Sequence, residues 1–218
     1  MICGVDEAGK GPVLGCLVIA AVSFTDEEKI NSLGVKDSKK LSPKRRQQFA
    51  KRIEQIASNI EILIISASDI DDMRKVMTMN EIEVFAFTKV IKKIKPDICY
   101  VDAADVIEER FGKEISKNLP KKIEIISKHK ADALFPVVSA ASILAKTRRD
   151  AEIRKIAEIL EPKIGKPMGS GYPADPLTKS FLETWVKTYH TLPPHTRHSW
   201  NTAKKLLVKS KIKKLDEY

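Results

Sequence analysis

Long apolar stretches are missing from this sequence, and no segment approaches the ~18 to 20 apolar residues that a membrane helix needs. The opening MICGVDEAGKGP lacks the basic region and cleavage site of a signal peptide. Cysteine is scarce as well: Cys3, Cys16 and Cys99 each lie in an apolar run, and no CxxC pair is present. Their odd number and spacing predict buried, reduced thiols and disfavour a disulfide framework or a zinc site. We therefore expect a cytoplasmic protein without a membrane anchor.

Acidic residues are fewer than basic ones: the 218 residues include 29 acidic residues and 39 lysines and arginines, which gives a net charge of +10. A surplus of this size favours an anionic partner, of which nucleic acid is the commonest. A lysine-rich solvated surface would give the same composition. Charge alone therefore leaves nucleic-acid binding open.

The apolar patterns predict strands first in a hairpin and then alternating with helices, which indicates an α/β domain with a mixed sheet flanked by helices. The strands are expected at residues 1–7, 13–23, 60–65, 98–101 and 123–126, and the helices at 43–56, 134–159, 177–190 and 199–215, with a further helix capped by Asn80. Ser42 and Pro43 suit the N-cap and first position of the helix at 43–56.

Glycine and proline concentrate at residues 165–178, which predicts a loop before a small C-terminal helical appendage. We expect a catalytic domain over residues 1–165 and the loop with its helical region over residues 166–218. The sequence contains no internal repeat and no coiled-coil seam, so a monomer is expected.

Several acids stand where a solvated surface charge is not expected. Asp6 and Glu7 close a short apolar strand, Asp102 closes the apolar run 98–101, and Asp132 precedes a long helical pattern. Buried carboxylates need a cation or hydrogen-bond donors, and a divalent metal would satisfy several at once. Any one of them could instead cap a helix or pair with a lysine, Asp132 in particular. Strand alternation would also send Asp6 and Glu7 to opposite faces unless the strand ends or twists there.

The remaining acids of interest are expected to lie in polar loops without a role in a site. These are Asp69, Asp71, Asp72, Asp105 and Asp175.

Motifs in a fixed order resemble those of type 2 ribonuclease H (ribonuclease HII). They are residues 4–12 (GVDEAGKGP), 37–42 (DSKKLS), 100–102 (YVD), 130–133 (KADA), 139–146 (SAASILAK) and 169–173 (GSGYP). Their order and spacing are similar to the family's over roughly residues 2–205, nearly the whole chain. Residues 197–200 (RHSW) and the lysine-rich tail resemble the archaeal branch.

The resemblance implies a ribonuclease H-like fold in which Asp6, Glu7, Asp102 and Asp132 bind two divalent ions, Mg²⁺ or Mn²⁺. One ion would activate a water and the other would neutralise the leaving 3′ oxygen. The implied reaction is cleavage of the RNA strand of RNA/DNA hybrids, or of single ribonucleotides embedded in duplex DNA. The cut would lie on the 5′ side of the ribonucleotide and leave a 3′-hydroxyl and a 5′-phosphate.

The resemblance also implies residues that contact the substrate, and these are Gly9, Lys10, Gly11, Lys39, Ser139, Ser142, Lys146 and Tyr172. The turn at residues 9–11 would approach the 2′-hydroxyl, although the family usually carries arginine at its centre and an ordinary hairpin turn would need the same glycines. Tyr172 would stack on a sugar or else pack on the core. Ser139, Ser142 and Lys146 share one helix face that would lie near the duplex backbone.

Two other interpretations are compatible with the same residues. One is a metal-dependent nuclease or resolvase of the same broad fold that acts on DNA alone. The other is a basic nucleic-acid-binding module without catalysis. Neither the sequence nor its tail, which has no recognisable sliding-clamp peptide, predicts a particular protein partner.

Overall fold

The computed structural model describes residues 1–32, 34 and 41–215, and within them the chain forms a five-stranded sheet of order β3-β2-β1-β4-β5. The strands are β1 (Ile2–Ala8), β2 (Leu17–Phe24), β3 (Asn59–Ile65), β4 (Ile98–Asp102) and β5 (Glu124–Lys128). β1 runs antiparallel to β2 and parallel to β4, and β4 runs parallel to β5. The predicted mixed sheet is therefore confirmed.

The helices alternate with the later strands, as the α/β prediction requires. They are α1 (Glu27–Ser32), α2 (Pro43–Ile56), α3 (Ala67–Met73), α4 (Met79–Ile94), α5 (Glu108–Lys117), α6 (Ala131–Leu134), α7 (Pro136–Leu160), α8 (Pro176–Tyr189) and α9 (Asn201–Leu215). In the described part of the chain, none of these helices has the length and apolar character to cross a membrane.

Capping side chains fix where two of the helices begin. The Ser42 hydroxyl accepts a hydrogen bond from the backbone N–H of Arg45, with Pro43 in the first turn, so the predicted start of α2 is confirmed. The cap of α4 is different from the prediction. Thr78, not Asn80, is the N-cap, because the Glu81 carboxylate accepts from the Thr78 N–H at 2.6 Å and closes a capping box.

The prediction of a strand from residue 13 was wrong, because β2 begins only at Leu17. The apolar residues before it are bonded outside the sheet. The backbone N–H of Val13 donates to the Gly171 carbonyl at 2.9 Å, and the Arg197 N–H donates to the Val13 carbonyl at 2.8 Å. The side chains of this run are apolar because they are buried, although the run does not form a strand.

The prediction that Asp69, Asp71 and Asp72 lie in a loop was also wrong, since all three belong to α3. Ser66 caps this helix, and the Asp69 carboxylate accepts from the Ser66 N–H to form a capping box. A helix of 7 residues is too short to show a helical period in the sequence.

The chain divides into two compact units, each assembled from separated segments. Unit 1 comprises Met1–Ala8, Val18–Ile64 and Met77–Arg148, and unit 2 comprises Gly9–Leu17, Ile65–Val76 and Arg149–Tyr218. The expected division into residues 1–165 and 166–218 stays a prediction.

Within unit 1, the start of α7 approaches the backbone of β1 at Gly4. A Cβ atom at this position would lie 2.3 Å from the Val137 carbonyl oxygen, so only glycine allows the contact. This approach holds the first turns of α7 beside β1, the strand that carries Asp6.

Within unit 2, an apolar core surrounds α8. Phe181, Leu182 and Trp185 pack there with Val13 and Leu14, all of them buried. The segment that follows the turn at residues 9–11 is thus anchored by burial as well as by the hydrogen bonds of Val13.

Candidate active site

Asp6 and Asp102 lie side by side on neighbouring parallel strands of unit 1. Val5 of β1 is paired with Val101 of β4, and each aspartate is the next residue along its strand. Asp6 is 4% exposed, and its Oδ1 accepts a hydrogen bond from the Glu7 N–H at 2.7 Å. Parallel pairing thus brings two carboxylates, about 100 residues apart in sequence, to one edge of the sheet.

The electrostatics of Asp6 show that other acids are close to it. Burial, followed by the negative charge of Asp102, raises the pKa of Asp6 from 3.8 to about 8, and the charge of Glu7 adds to this effect. A hydrogen bond from Ser142 and the positive charge of Lys146 act in the opposite direction on the same pKa. The charge of Glu7 therefore acts on Asp6 even though the two residues are adjacent in a strand.

Asp132 joins the same region through Lys146. It lies in α6, is 3% exposed, and its Oδ2 is 3.9 Å from the Lys146 ammonium nitrogen. That nitrogen also donates to the Ser142 hydroxyl at 2.7 Å. A hydrogen bond from the backbone also connects α6 to β4, because Asp102 Oδ1 accepts from the Ala131 N–H at 2.8 Å. The N-cap position of α6 is held by Lys130, so Asp132 does not serve as that cap.

Ser139, Ser142 and Lys146 share one face of α7, as the spacing predicted. Both serines are buried, and the Ser139 hydroxyl has no hydrogen-bond partner within the described residues. The side chain of Lys146 is 25% exposed. This face therefore reaches the acids through Ser142 and Lys146.

The donor set fits a divalent ion of the magnesium type. All four acids offer oxygen ligands, and the repulsion that Asp102 and Glu7 exert on Asp6 is the kind that such an ion relieves. As the side chains stand, no three acids, histidines or cysteines among the described residues already surround one point closely enough to hold an ion. The ammonium group of Lys146 lies next to Asp132 in this cluster.

In unit 2, the turn at residues 9–11 lies beside the tyrosine loop. Gly9 has φ +98, and a Cβ there would lie 2.6 Å from the Cys16 carbonyl oxygen, so this position requires glycine. A Cβ at Gly11 would be 3.7 Å from Cε1 of Tyr172, which places the tyrosine ring next to that glycine. The structure therefore brings the turn and Tyr172 together.

Tyr172 is 39% exposed and does not pack into the core. The Arg149 guanidinium lies 5.0 Å from the centre of its ring and donates to the Ser170 carbonyl at 2.9 Å. Arg149 was missed from the sequence, although it lies one helical turn after Lys146.

Asp175 was expected to have no role, yet its carboxylate holds the tyrosine loop. It accepts from the N–H and the hydroxyl of Ser170 at 2.7 and 2.6 Å, and it caps α8 by accepting from the Leu177 N–H. Lys39, also predicted to contact substrate, lies outside the described residues.

The sequence was compared with known protein families. The sequence profile described as Ribonuclease HII matches residues 3–203. The chain belongs to the ribonuclease HII family. A ribonuclease HII from Methanococcoides burtonii is 51% identical over 215 residues, which cover 94% of this chain and 99% of that protein.

Solved structures agree with this assignment. The ribonuclease H2 of Pyrococcus horikoshii OT3 matches with a TM-score of 0.86 and 41% identity, covering 96% of this chain and 98% of that one. The structure of a PCNA:RNase HII complex from Archaeoglobus fulgidus matches with a TM-score of 0.84 and 41% identity, covering 94% and 96%. The predicted ribonuclease H-like fold and the likeness to archaeal members are confirmed.

Membership of the ribonuclease HII family makes the chain a ribonuclease H, an endonuclease of a metal-dependent family that binds RNA/DNA hybrids. The two rival interpretations, a nuclease acting on DNA alone and a binding module without catalysis, are thereby set aside.

Proposed function

We propose that this enzyme hydrolyses the RNA strand of RNA/DNA hybrids and cuts at single ribonucleotides embedded in duplex DNA. The cut lies 5′ to the ribonucleotide and leaves a 3′-hydroxyl and a 5′-phosphate. The observation that carries the proposal is the position of Asp6, buried beside Asp102 with its pKa raised to about 8 by burial and by neighbouring acids. Such a group needs a cation, and the family supplies one by binding metal.

The residues proposed to hold the metal are Asp6, Glu7, Asp102 and Asp132. When bound, two divalent ions, Mg²⁺ or Mn²⁺, would lower the pKa of an attacking water and neutralise charge on the leaving 3′ oxygen. The four acids supply only oxygen donors, which suits both ions. Because Asp6 and Asp132 are buried, charges near these two carboxylates are screened little by water and act strongly on them.

Lys146 would offset part of the negative charge of the cluster before metal arrives. Its ammonium group lies 3.9 Å from Asp132 and lowers the pKa of Asp6, so it counts as a counter-ion of both acids. Because its side chain is 25% exposed, it can also turn towards a phosphate of the duplex. Ser142, which accepts from the Lys146 ammonium at 2.7 Å, would help to position it, and Ser139 lies on the same face of α7.

Discrimination between RNA and DNA is assigned to the turn of Gly9, Lys10 and Gly11 together with Tyr172. The glycines let a 2′-hydroxyl approach the backbone, since no Cβ intervenes. The exposed ring of Tyr172, next to Gly11, would stack on the adjoining sugar. Lys39 would add a phosphate contact.

A duplex with one ribonucleotide tests the proposal. The wild-type protein with Mg²⁺ or Mn²⁺ is expected to make one cut on its 5′ side, and a ligase-competent 3′-hydroxyl and 5′-phosphate identify the products. Asp102→Asn should abolish cutting while duplex binding persists. Asp105→Asn is the matched control, because Asp105 pairs with Arg110 and stays outside the cluster. An all-DNA duplex cut equally well, or a fully active Asp102→Asn, would refute the proposal.

Removal of ribonucleotides from DNA would place the enzyme in excision repair and replication. Buried reduced thiols at Cys3, Cys16 and Cys99 support action in the cytoplasm. The Archaeoglobus relative was solved in a complex with PCNA, and we propose the same partner for this chain, otherwise a monomer. Size-exclusion chromatography with and without PCNA tests both statements.

A further inference from the structure

The carbonyl oxygens of the turn at residues 9–11 are all held by one short segment of unit 2. The Arg197 guanidinium donates from Nη2 to the Gly9 carbonyl at 2.6 Å and from Nη1 to the Lys10 carbonyl at 2.8 Å. The Trp200 indole donates from Nε1 to the Gly11 carbonyl at 3.2 Å. Two side chains, about 190 residues away along the chain, thus take three successive backbone acceptors.

Arg197 is built into the protein as a rigid support. Its side chain is fully buried, and its third nitrogen, Nε, donates to the Gly15 carbonyl at 3.0 Å. The guanidinium carbon lies 4.8 Å from the centre of the Trp200 ring, so the ring stacks against it. A planar fork of donors can bond to adjacent carbonyls in this way, whereas a lysine ammonium cannot hold the same set.

Fixing these carbonyls also fixes the amide groups of the turn. A trans peptide unit is planar, with its C=O and N–H pointing in opposite directions. With the Gly9 and Lys10 carbonyls aimed at Arg197, the N–H groups of Lys10 and Gly11 are aimed to the other side. Glycine has a wide choice of backbone angles, so Gly9 and Gly11 would sample many conformations without this support.

We propose that Arg197 and Trp200 are positioning residues for ribonucleotide recognition, which hold the backbone of residues 9–11 in the one conformation that accepts a 2′-hydroxyl. They act through the turn and do not touch the substrate. This inference rests on the proposed function, because it assigns discrimination between RNA and DNA to the same turn. It adds that the strength of this discrimination is set by the side chains behind the turn.

The experiment compares the affinity of the protein for two duplexes of one sequence, one all-DNA and one with a single ribonucleotide. Fluorescence anisotropy in a chelator gives both Kd values without cleavage. Trp200→Phe removes the indole N–H but keeps an aromatic ring, and it should reduce the ratio of the two Kd values by about 3- to 10-fold, the worth of one hydrogen bond. Arg197→Lys should reduce the ratio further, by about 10-fold or more.

Trp185→Phe is the matched control. Trp185 is buried in the core of the same unit, and within the described residues its Nε1 has no hydrogen-bond partner. This variant should lose some thermal stability and keep the wild-type ratio of Kd values. Melting curves of all three variants verify that each is folded under the conditions of the binding assay.

The outcomes separate the inference from the proposed function. If Trp200→Phe and Arg197→Lys are folded and keep the wild-type ratio, the inference is wrong. A wild-type protein that cuts beside the ribonucleotide yet binds both duplexes equally would also overturn it, while the proposed activity would stand. A wild-type protein that neither prefers nor cuts the ribonucleotide duplex would contradict the proposed function itself.

Discussion

The ammonium group of Lys146 lies 3.9 Å from the carboxylate of Asp132. The same group lowers the pKa of Asp6, whereas burial, Asp102 and Glu7 raise it. Lys146 is therefore expected to stabilise the metal-free protein by offsetting repulsion between carboxylates. Divalent ions would make this contribution smaller, because they supply the same charge.

Lys146→Gln should lower the melting temperature of the metal-free protein at pH 8 by about 2–4 °C, the effect of ~1 kcal/mol in a chain of this size. Saturating Mg²⁺ should recover most of the loss. Lys155→Gln is the control on α7, since it removes only an exposed pair with Glu152. Equal losses in both variants, with no recovery by Mg²⁺, would show that Lys146 is no counter-ion of the cluster.

The raised pKa of Asp6 predicts a pH dependence of the metal-free protein. The folded value of about 8 lies above the usual 3.8, so the unfolded chain releases this proton first. The stability that Asp6 contributes is thus complete below pH 4 and is lost as the pH rises towards 8. Asp6→Asn, which cannot ionise, should gain several degrees in melting temperature over wild type between pH 5 and 9.

Asp105→Asn is the reference for that experiment. Hydrogen bonds from Arg110 lower the pKa of Asp105 to about 2, so its contribution is lost only on acidification below the usual value. Its difference from wild type should therefore be constant between pH 5 and 9. A difference for Asp6→Asn that is equally constant would mean that Asp6 is ionised in the folded protein throughout this range.

Gly4→Ala should separate α7 from β1. The added Cβ would lie 2.3 Å from the Val137 carbonyl oxygen, a contact that backbone movement alone can relieve. We expect a loss of about 1–3 kcal/mol or more, and a fall of several degrees in melting temperature. Gly165→Ala is the control for the added methyl group, because a Cβ there meets no atom within 4 Å and any loss comes from its own backbone angle of φ +65. A Gly4→Ala protein as stable as that control would contradict the packing described here.

Tyr172→Ala should reduce kcat/KM on the single-ribonucleotide duplex by roughly 5- to 150-fold, since stacking on a nucleotide is worth about 1–3 kcal/mol. Tyr172→Phe keeps the ring and should retain most activity. Tyr189→Ala is a matched control, because Tyr189 belongs to the same unit and is 43% exposed against 39% for Tyr172. If Tyr189→Ala lost as much activity as Tyr172→Ala, the effect would be one of folding.

Local signals in the sequence were enough to locate Asp102 and the start of α2. An apolar run closed by an acid fixed the end of β4, and Ser42 with Pro43 fixed the helix. The same kind of signal failed at residues 13–16, because an apolar run reports burial and does not tell a strand from a segment anchored by other backbone groups. α3 was missed because a helix of 7 residues is too short to show a period, although its capping box was readable.

Long-range contacts explain the rest of what sequence could not supply. Arg197 was noticed only as part of a motif of the archaeal branch, since its partners Gly9 and Lys10 stand 188 and 187 residues earlier. Arg149 supports Tyr172 through a contact that no spacing rule reveals, whereas Asp175 acts locally on Ser170 and caps α8. Residue types predicted the chemistry of the acids, but the fold was needed to show that Lys146 stands among them.

Titration calorimetry with Mn²⁺ shows whether Asp6, Asp102 and Asp132 belong to one metal-binding centre. The wild-type protein should bind Mn²⁺ with a stoichiometry of about two per chain. Asp6→Asn, Asp102→Asn and Asp132→Asn should each weaken binding at least about tenfold, the effect of ~1.4 kcal/mol, while Asp105→Asn should match the wild type. Wild-type affinity in all three cluster variants would contradict the account.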